Sequence, residues 1–542
     1  VNASPRRAAA TLAAAALATP LLLGSASPAS SQPDRPGKDA AALSKALVRE
    51  ASAEDAYKHL RKFQAIADSA GGHRVAGSLG HDASAAYVYQ QLKKAGYNVS
   101  YQKFSFVYTQ TLAEKLSTVT PAPRDIEIKA LTYTKSTPVG GVGAELAAVP
   151  VDADGTTGCE PGDYAPGAFT GKVALIKRGG CAFAVKQEQA AAAGAIGALI
   201  YNNIDAGYGP LSGTLGDPAA ARIPTAGLSK ADGEKLTADL AGGPVKLSLE
   251  IRQLQENRST NNVIAETKGG NAADTVMLGA SLDSVVTGPG INDNGSGSAG
   301  LLDVALKLAA KEKSPRNKVR FAWWSAAESG LVGSHHYVAN LTPLDKREIK
   351  LYLNFELISS TNGGMFVYDG DNSDGANTQT APAGSARLEQ DITAFLGKRG
   401  QPHAGTPFVF RFDYGPFLDA GIPSGGTFSG AEAIKTQAEA EKFGGTAGVA
   451  FDPNYHAAGD TLRNVGMTVF DRNVDVIANA VGTYAHDISA LKQQPAGART
   501  AGTADARTAA DPDRGADHGV TAGGTGPRGS GPRGSGAHGV TE

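Results

Sequence analysis

Cysteine is scarce: the 542 residues contain two, Cys159 and Cys181. Two thiols can build neither a disulfide-dense scaffold nor a four-thiolate zinc site, so any metal must be held by histidine, aspartate and glutamate. An excess of charge is also missing. With 51 Lys+Arg against 53 Asp+Glu, a formal net charge of -2, the chain lacks the basic surface that nucleic-acid binding by phosphate neutralisation requires. Long apolar runs are absent beyond Ala8–Leu23, and that run of 16 residues is mostly alanine and short for a membrane span. What is present is length, enough for two folded units plus tails, and ten histidines.

Both ends read as non-domain segments. Residues 1–30 carry Arg6 and Arg7, the Ala/Leu run and the small-residue stretch Gly24-Ser25-Ala26-Ser27-Pro28-Ala29, the pattern of a signal peptide cleaved after Ala26 or Ala29. A secreted, extracellular protein without stable membrane insertion is expected. Residues 492–542 lose hydrophobic periodicity and end in the Gly-Pro-Arg-Gly-Ser repeat of 526–536, a tail expected to be disordered. In between, periodicity predicts helices over 39–69, 81–95, 298–311 and 330–340, with strands over 99–107, 275–279, 318–324 and 351–357. Strands alternating with helices of this length imply an α/β fold, a mostly parallel mixed sheet covered by helices on both faces. A Gly-rich, β-rich block with one helical stretch, 182–193, interrupts it. The expected organisation is an N-terminal part of the catalytic unit over 37–135, an insert over 136–250 and the remainder over 256–491.

The insert carries Gly158-Cys159-Glu160-Pro161-Gly162-Asp163-Tyr164, then Gly171-Lys172-Val173-Ala174-Leu175-Ile176-Lys177-Arg178-Gly179-Gly180-Cys181, then Ala193-Gly194-Ala195-Ile196-Gly197-Ala198-Leu199-Ile200-Tyr201-Asn202-Asn203. It resembles a protease-associated (PA) domain, which implies a lid or docking role beside a peptidase site. In an exported chain the two thiols favour a Cys159–Cys181 disulfide over two unpaired buried thiols.

Four segments of the α/β part carry chemistry. They are Leu278-Gly279-Ala280-Ser281-Leu282-Asp283 running into Gly290-Ile291-Asn292-Asp293-Asn294-Gly295-Ser296-Gly297; Trp323-Trp324-Ser325-Ala326-Ala327-Glu328-Ser329-Gly330-Leu331; Asn354-Phe355-Glu356; and Phe451-Asp452-Pro453-Asn454-Tyr455-His456 with Asp460-Thr461. In order and spacing they are similar to the zinc aminopeptidases of the aminopeptidase Y and bacterial leucyl aminopeptidase type, clan MH metallopeptidases. That resemblance implies two zinc ions sharing a carboxylate and a free glutamate as general base. On the family pattern Asp293 is the bridging carboxylate, Glu328 and His456 are zinc ligands, and Tyr455 is the hydroxyl that steadies the tetrahedral intermediate.

The same pattern shows departures. The first-zinc histidine of His-x-Asp is Ser281, leaving Asp283 no ring to orient. The general-base glutamate is Ala327. The remaining first-zinc aspartate is Glu356, one methylene longer, and Phe412 in Arg411-Phe412-Asp413 stands where serine is usual, near the expected cleft. Asn454 and Gly459 replace a cysteine pair flanking the last histidine. His335 and His336 lie ~10–12 Å further along a helix from Glu328, too far to substitute. The resemblance, so modified, implies one zinc rather than two and a catalytically impaired homologue that binds peptides or protein N-termini. The alternative is a residual one-zinc aminopeptidase releasing N-terminal amino acids, with Glu356 carrying the proton.

Overall fold

The computed structural model describes residues 35–204, 209–409 and 411–492. The expected leader and the C-terminal tail beyond residue 492 lie outside them. Four strands, Asn271–Ser281, Asn317–Trp324, Ile349–Glu356 and Ser424–Phe428, run parallel side by side. Their side chains alternate between two cores. Val276, Leu278, Val319, Phe321, Trp323, Leu351 and Leu353 point into one, while Met277, Ala322, Trp324 and Tyr352 point into the other. Strands buried on both faces read as continuous apolar runs, which is why these were legible. Helices Ala53–Ser69, Leu79–Ala95, Gly297–Lys311 and Met467–Tyr484 supply residues to the first core, and Val332–Ala339 and Gly415–Asp419 to the second.

Mixed character enters at the flanks. Phe366–Tyr368 is antiparallel to Ser424–Phe428 on one side, and Lys246–Glu266 is antiparallel to Asn317–Trp324 on the other. Lys246–Glu266 also pairs along its length with Asn98–Thr120, forming a two-stranded ribbon that leads into the PA domain. There Val142–Ala148, Val173–Lys177, Gly197–Tyr201 and Thr225–Leu228 continue the sheet. Cys159 and Cys181 form a disulfide in this domain.

Three expectations need correcting. The single helix over 39–69 is two, Arg35–Glu50 and Ala53–Ser69, because Ser52 takes an extended conformation and its hydroxyl accepts the Asp55 N–H. The strand expected to end at Val107 continues to Thr120. The insert holds a second helix, Lys230–Ala241, whose only buried residues are Gly233 and Leu236, too few to leave a strong apolar stripe.

Candidate active site

The parallel strands deliver the candidate residues at their carboxyl ends, where α/β sheets build their sites. Ser281 and Glu356 are the last residues of adjacent strands; Asp293 lies in the short helical segment Ile291–Ser296 that follows the first of them, Glu328 follows Asn317–Trp324, and His456 lies in the stretch after the helix Gln437–Phe443. His456 Nε2 stands 3.1 Å from Asp293 Oδ2 and 3.2 Å from Glu328 Oε2. For zinc bonds of ~2.0–2.2 Å the edge of a ligand tetrahedron is about 3.3–3.6 Å, so these three atoms already have nearly the spacing of one coordination sphere. Asp293 Oδ2 is buried and, apart from the His456 ring nitrogen at 3.1 Å, has no hydrogen-bond partner among the described residues. A lone carboxylate oxygen left this way is costly unless a cation takes it. The three residues therefore fit one metal ion.

Supporting contacts fix these residues. The Asp293 N–H donates to Asp460 Oδ2 and the Asn292 N–H to Asp460 Oδ1, at 2.9 and 2.7 Å. Asn292 also donates to Asp452 Oδ2 at 2.7 Å, tying the Asp293 loop to the loop that carries His456. Asp283, with no imidazole to orient, accepts the N–H groups of Ala327 and Glu328 at 3.0 and 3.3 Å. Asn454 and Gly459, the positions of the missing cysteine pair, pack so closely that a methyl on Gly459 would lie 2.0 Å from Asn454 Oδ1. His456 adopts φ 55°, and its ring stacks on Tyr455 with centroids 3.8 Å apart.

The first-zinc position is different. Ser281 Oγ donates to Glu356 Oε2 at 3.0 Å, and the Ser281 N–H donates to Glu356 Oε1 at 3.3 Å. Glu356 is thus satisfied within the protein by Ser281. Ala327 presents a methyl group beside Glu328. His335 and His336 stay outside the cluster, His336 stacking on Phe104. Phe412 is buried against Phe428 and Tyr414.

Electrostatics favour a cation here. Asp283, Asp293, Glu356 and Asp413 are each at most 6% exposed. Burial, then Glu328, raises the Asp283 and Asp293 carboxyls above their ordinary range, and burial, then Asp413 and Asp293, raises Glu356 well above it. Asp413 is pushed up to about 7 by burial, against the Ser334 hydroxyl that donates to it. Burial works against a charged His456 ring, yet Tyr455, Glu328 and Asp293 hold it well above its usual value. Tyr455 is pushed up to about 12 by burial, which keeps its hydroxyl a donor at neutral pH.

Residues that the motif reading left without a role frame an adjacent cavity of about 240 Å³, walled by Phe366, Phe428, Phe451, Ala431 and Ala433. Arg411 lines it, pairs with Glu432 through both Nη atoms, and lies over the Tyr455 ring at 5.3 Å. Cavity and carboxylate cluster are therefore joined through Arg411, Tyr455 and His456.

Comparison with known proteins bears on this arrangement. A family profile described as Peptidase family M28 matches residues 262–481, and one described as PA domain matches 142–236. The chain is 41% identical over 444 residues to Leucine aminopeptidase 2 of Trichophyton tonsurans, covering 82% of this chain and 86% of that one. It is 44% identical over 444 residues to an aminopeptidase of Pseudomonas aeruginosa, covering 80% and 81%. Among solved structures it is similar to the aminopeptidase from Aneurinibacillus sp. strain AM-1, at 27% identity, covering 81% and 95% of the two chains with a TM-score of 0.62. A zinc aminopeptidase from Bacillus subtilis aligns at 26% identity over 79% and 94%, with a TM-score of 0.53.

Proposed function

Because this chain belongs to peptidase family M28 and carries an inserted PA domain, we propose that it binds peptides by their N-terminal residue beside a single zinc ion, with hydrolysis impaired. The observation that carries this reading is the Ser281–Glu356 hydrogen bond, which engages the remaining first-zinc carboxylate with the residue that replaced its partner. Asp293, Glu328 and His456 would hold the one ion; when bound, zinc supplies Lewis-acid polarisation of the scissile carbonyl.

The chain's own residues divide the remaining work. The apolar cavity takes the side chain of the N-terminal residue, and Tyr455 offers a hydroxyl to the peptide carbonyl oxygen. Ala327 can neither accept nor return a proton, and loss of a general base lowers rate by about 10²–10⁴. The Cys159–Cys181 disulfide supports an extracellular setting, since such bonds persist in oxidising compartments. The test is zinc content by elemental analysis with turnover of aminoacyl-nitroanilides. One zinc per chain with tight peptide binding and slow release is expected; two zinc ions per chain with brisk release would overturn the reading.

A further inference from the structure

The loop that carries Asp293 is held by a residue from a distant part of the chain. Arg74 lies between the helices Ala53–Ser69 and Leu79–Ala95 and is fully buried. Among the described residues its guanidinium forms no ion pair, and each of its hydrogen bonds goes to a backbone carbonyl, while Asp283, Asp460, Asp293 and Glu328 act favourably on its charge from further off. Nε donates to Pro289 O at 2.8 Å, Nη1 to Leu282 O and Nη2 to Gly290 O. The Arg74 N–H donates to Ser284 Oγ at 2.9 Å, and the Ser284 N–H returns a bond to Arg74 O at 3.3 Å. One planar fork therefore pins both ends of the loop 282–290. Asp283, which fixes the Ala327–Glu328 peptide, stands at one end, and Asp293 follows the other.

The packing around this fork leaves little slack. Gly290 has φ +63°, and a methyl placed on it would lie 2.4 Å from Asp293 O, 2.4 Å from Ser284 Cβ and 3.2 Å from Arg74 Nη2. Burying an arginine is expensive, and here the nearby carboxylates Asp283, Asp460, Asp293 and Glu328 offset its charge while the matched carbonyls satisfy its donors; the rigid fork is what lysine lacks. Arg74 lies outside the 262–481 stretch that the family profile matches.

We infer that Arg74 is a positioning residue for the metal site, setting zinc affinity by clamping the carbonyls of Leu282, Pro289 and Gly290 so that Asp293 and Glu328 reach one ion. The inference rests on the one-zinc reading above. Outer contacts that orient ligands are typically worth about 10–100-fold in metal affinity.

The test uses the full chain, zinc as the probe and competition with a chromogenic chelator, alongside amide exchange of the metal-free protein. Arg74→Lys keeps the charge and loses the fork. It should bind zinc about 10–100-fold more weakly, with faster exchange at Ser284 and Ile291–Asp293 and no change in the PA-domain strand Val173–Lys177. Arg74→Met should behave like Arg74→Lys. If neither folds, Ser284→Ala leaves the fork in place but removes the neighbouring bond from the Arg74 backbone N–H, which joins the same two segments, and should weaken zinc in the same direction. Lysine restoring parental affinity would overturn the clamp in favour of charge alone. Folded variants matching the parent in affinity and exchange would overturn it altogether. A parent chain that binds no zinc would overturn the one-zinc reading and this claim on affinity with it, whereas a zinc-binding parent with indifferent Arg74 variants overturns this inference alone.

Discussion

Restoring the two missing functional groups is the sharpest perturbation. Ala327→Glu supplies a carboxylate on a backbone already anchored by the Ala327 N–H to Asp283 bond of 3.0 Å, at a half-buried position. Ser281→His faces a tighter site, since Ser281 is 5% exposed and its hydroxyl is bonded to Glu356. An imidazole there must displace that bond, and overpacking of this kind costs about 1–3 kcal/mol of stability. A general base is worth about 10²–10⁴ in rate, or roughly 2.7–5.4 kcal/mol of transition-state stabilisation. Residues that act as a unit do not contribute independently. Ala327→Glu alone should therefore recover part of the gain, Ser281→His alone almost none, and the double variant about 10²–10⁴ in kcat with zinc content rising from one to two. The assay is steady-state release of nitroaniline from leucyl-p-nitroanilide, with zinc measured on the same samples. A parent as fast as the double variant refutes the reasoning, and so does a double variant that binds two zinc ions while its rate stays at the parental level.

Other outcomes follow from the same structure. His456→Ala should drop zinc content from one per chain to near zero after gel filtration; retention of the ion would remove Asp293, Glu328 and His456 as its ligands. Asp303, pushed up to about 7 by burial with Lys307 opposing, binds a proton in the folded chain that it has lost in the unfolded chain between about pH 4 and pH 7. Stability therefore falls as pH rises through that window, and Asp303→Asn should exceed the parent in urea unfolding by up to about 4 kcal/mol above pH 7, with the gap closing towards pH 4. An equal gap at both ends would refute the shift. The Cys159→Ala/Cys181→Ala double variant opens a loop with sequence separation 22 and should lower PA-domain stability by about 3 kcal/mol in the chain-entropy picture; an unmoved calorimetric transition would count against it.

How much was legible depended on whether a residue belonged to a pattern. The central strands announced themselves because burial on both faces demands unbroken apolar runs, as in Val276–Ala280 and Phe321–Trp324. The outer half of Asn98–Thr120 did not, because it runs through exposed residues such as Leu112 before Leu116 reaches the core of the PA domain, so buried positions are too widely spaced to give an alternation. Asp293, Glu328, Glu356 and His456 stood out by spacing and flanking residues. Arg74 gave no such signal, since a side chain that serves three backbone carbonyls has no partner residue type to look for. Asp413 was visible only as a neighbour of Phe412, and its buried place among other carboxyls emerges only when separate strands bring them together. The Ser281–Glu356 bond joins residues 75 apart and depends on two parallel strands being neighbours.

The ribbon between the peptidase unit and the PA domain has a mechanical meaning. The chain leaves along Asn98–Thr120 and returns along Lys246–Glu266, zipped from Asn98 opposite Glu266 to Thr120 opposite Lys246, with slips between Thr111 and Ala113 and between Thr118 and Thr120. Outgoing and incoming strands share one stalk, so the insert is mounted as a cantilever. A load applied to the PA domain bends the stalk first at its register slips, where the ladder is weakest. For the same reason the insert can be exchanged by cutting across a single rung, because the two severed ends already lie side by side.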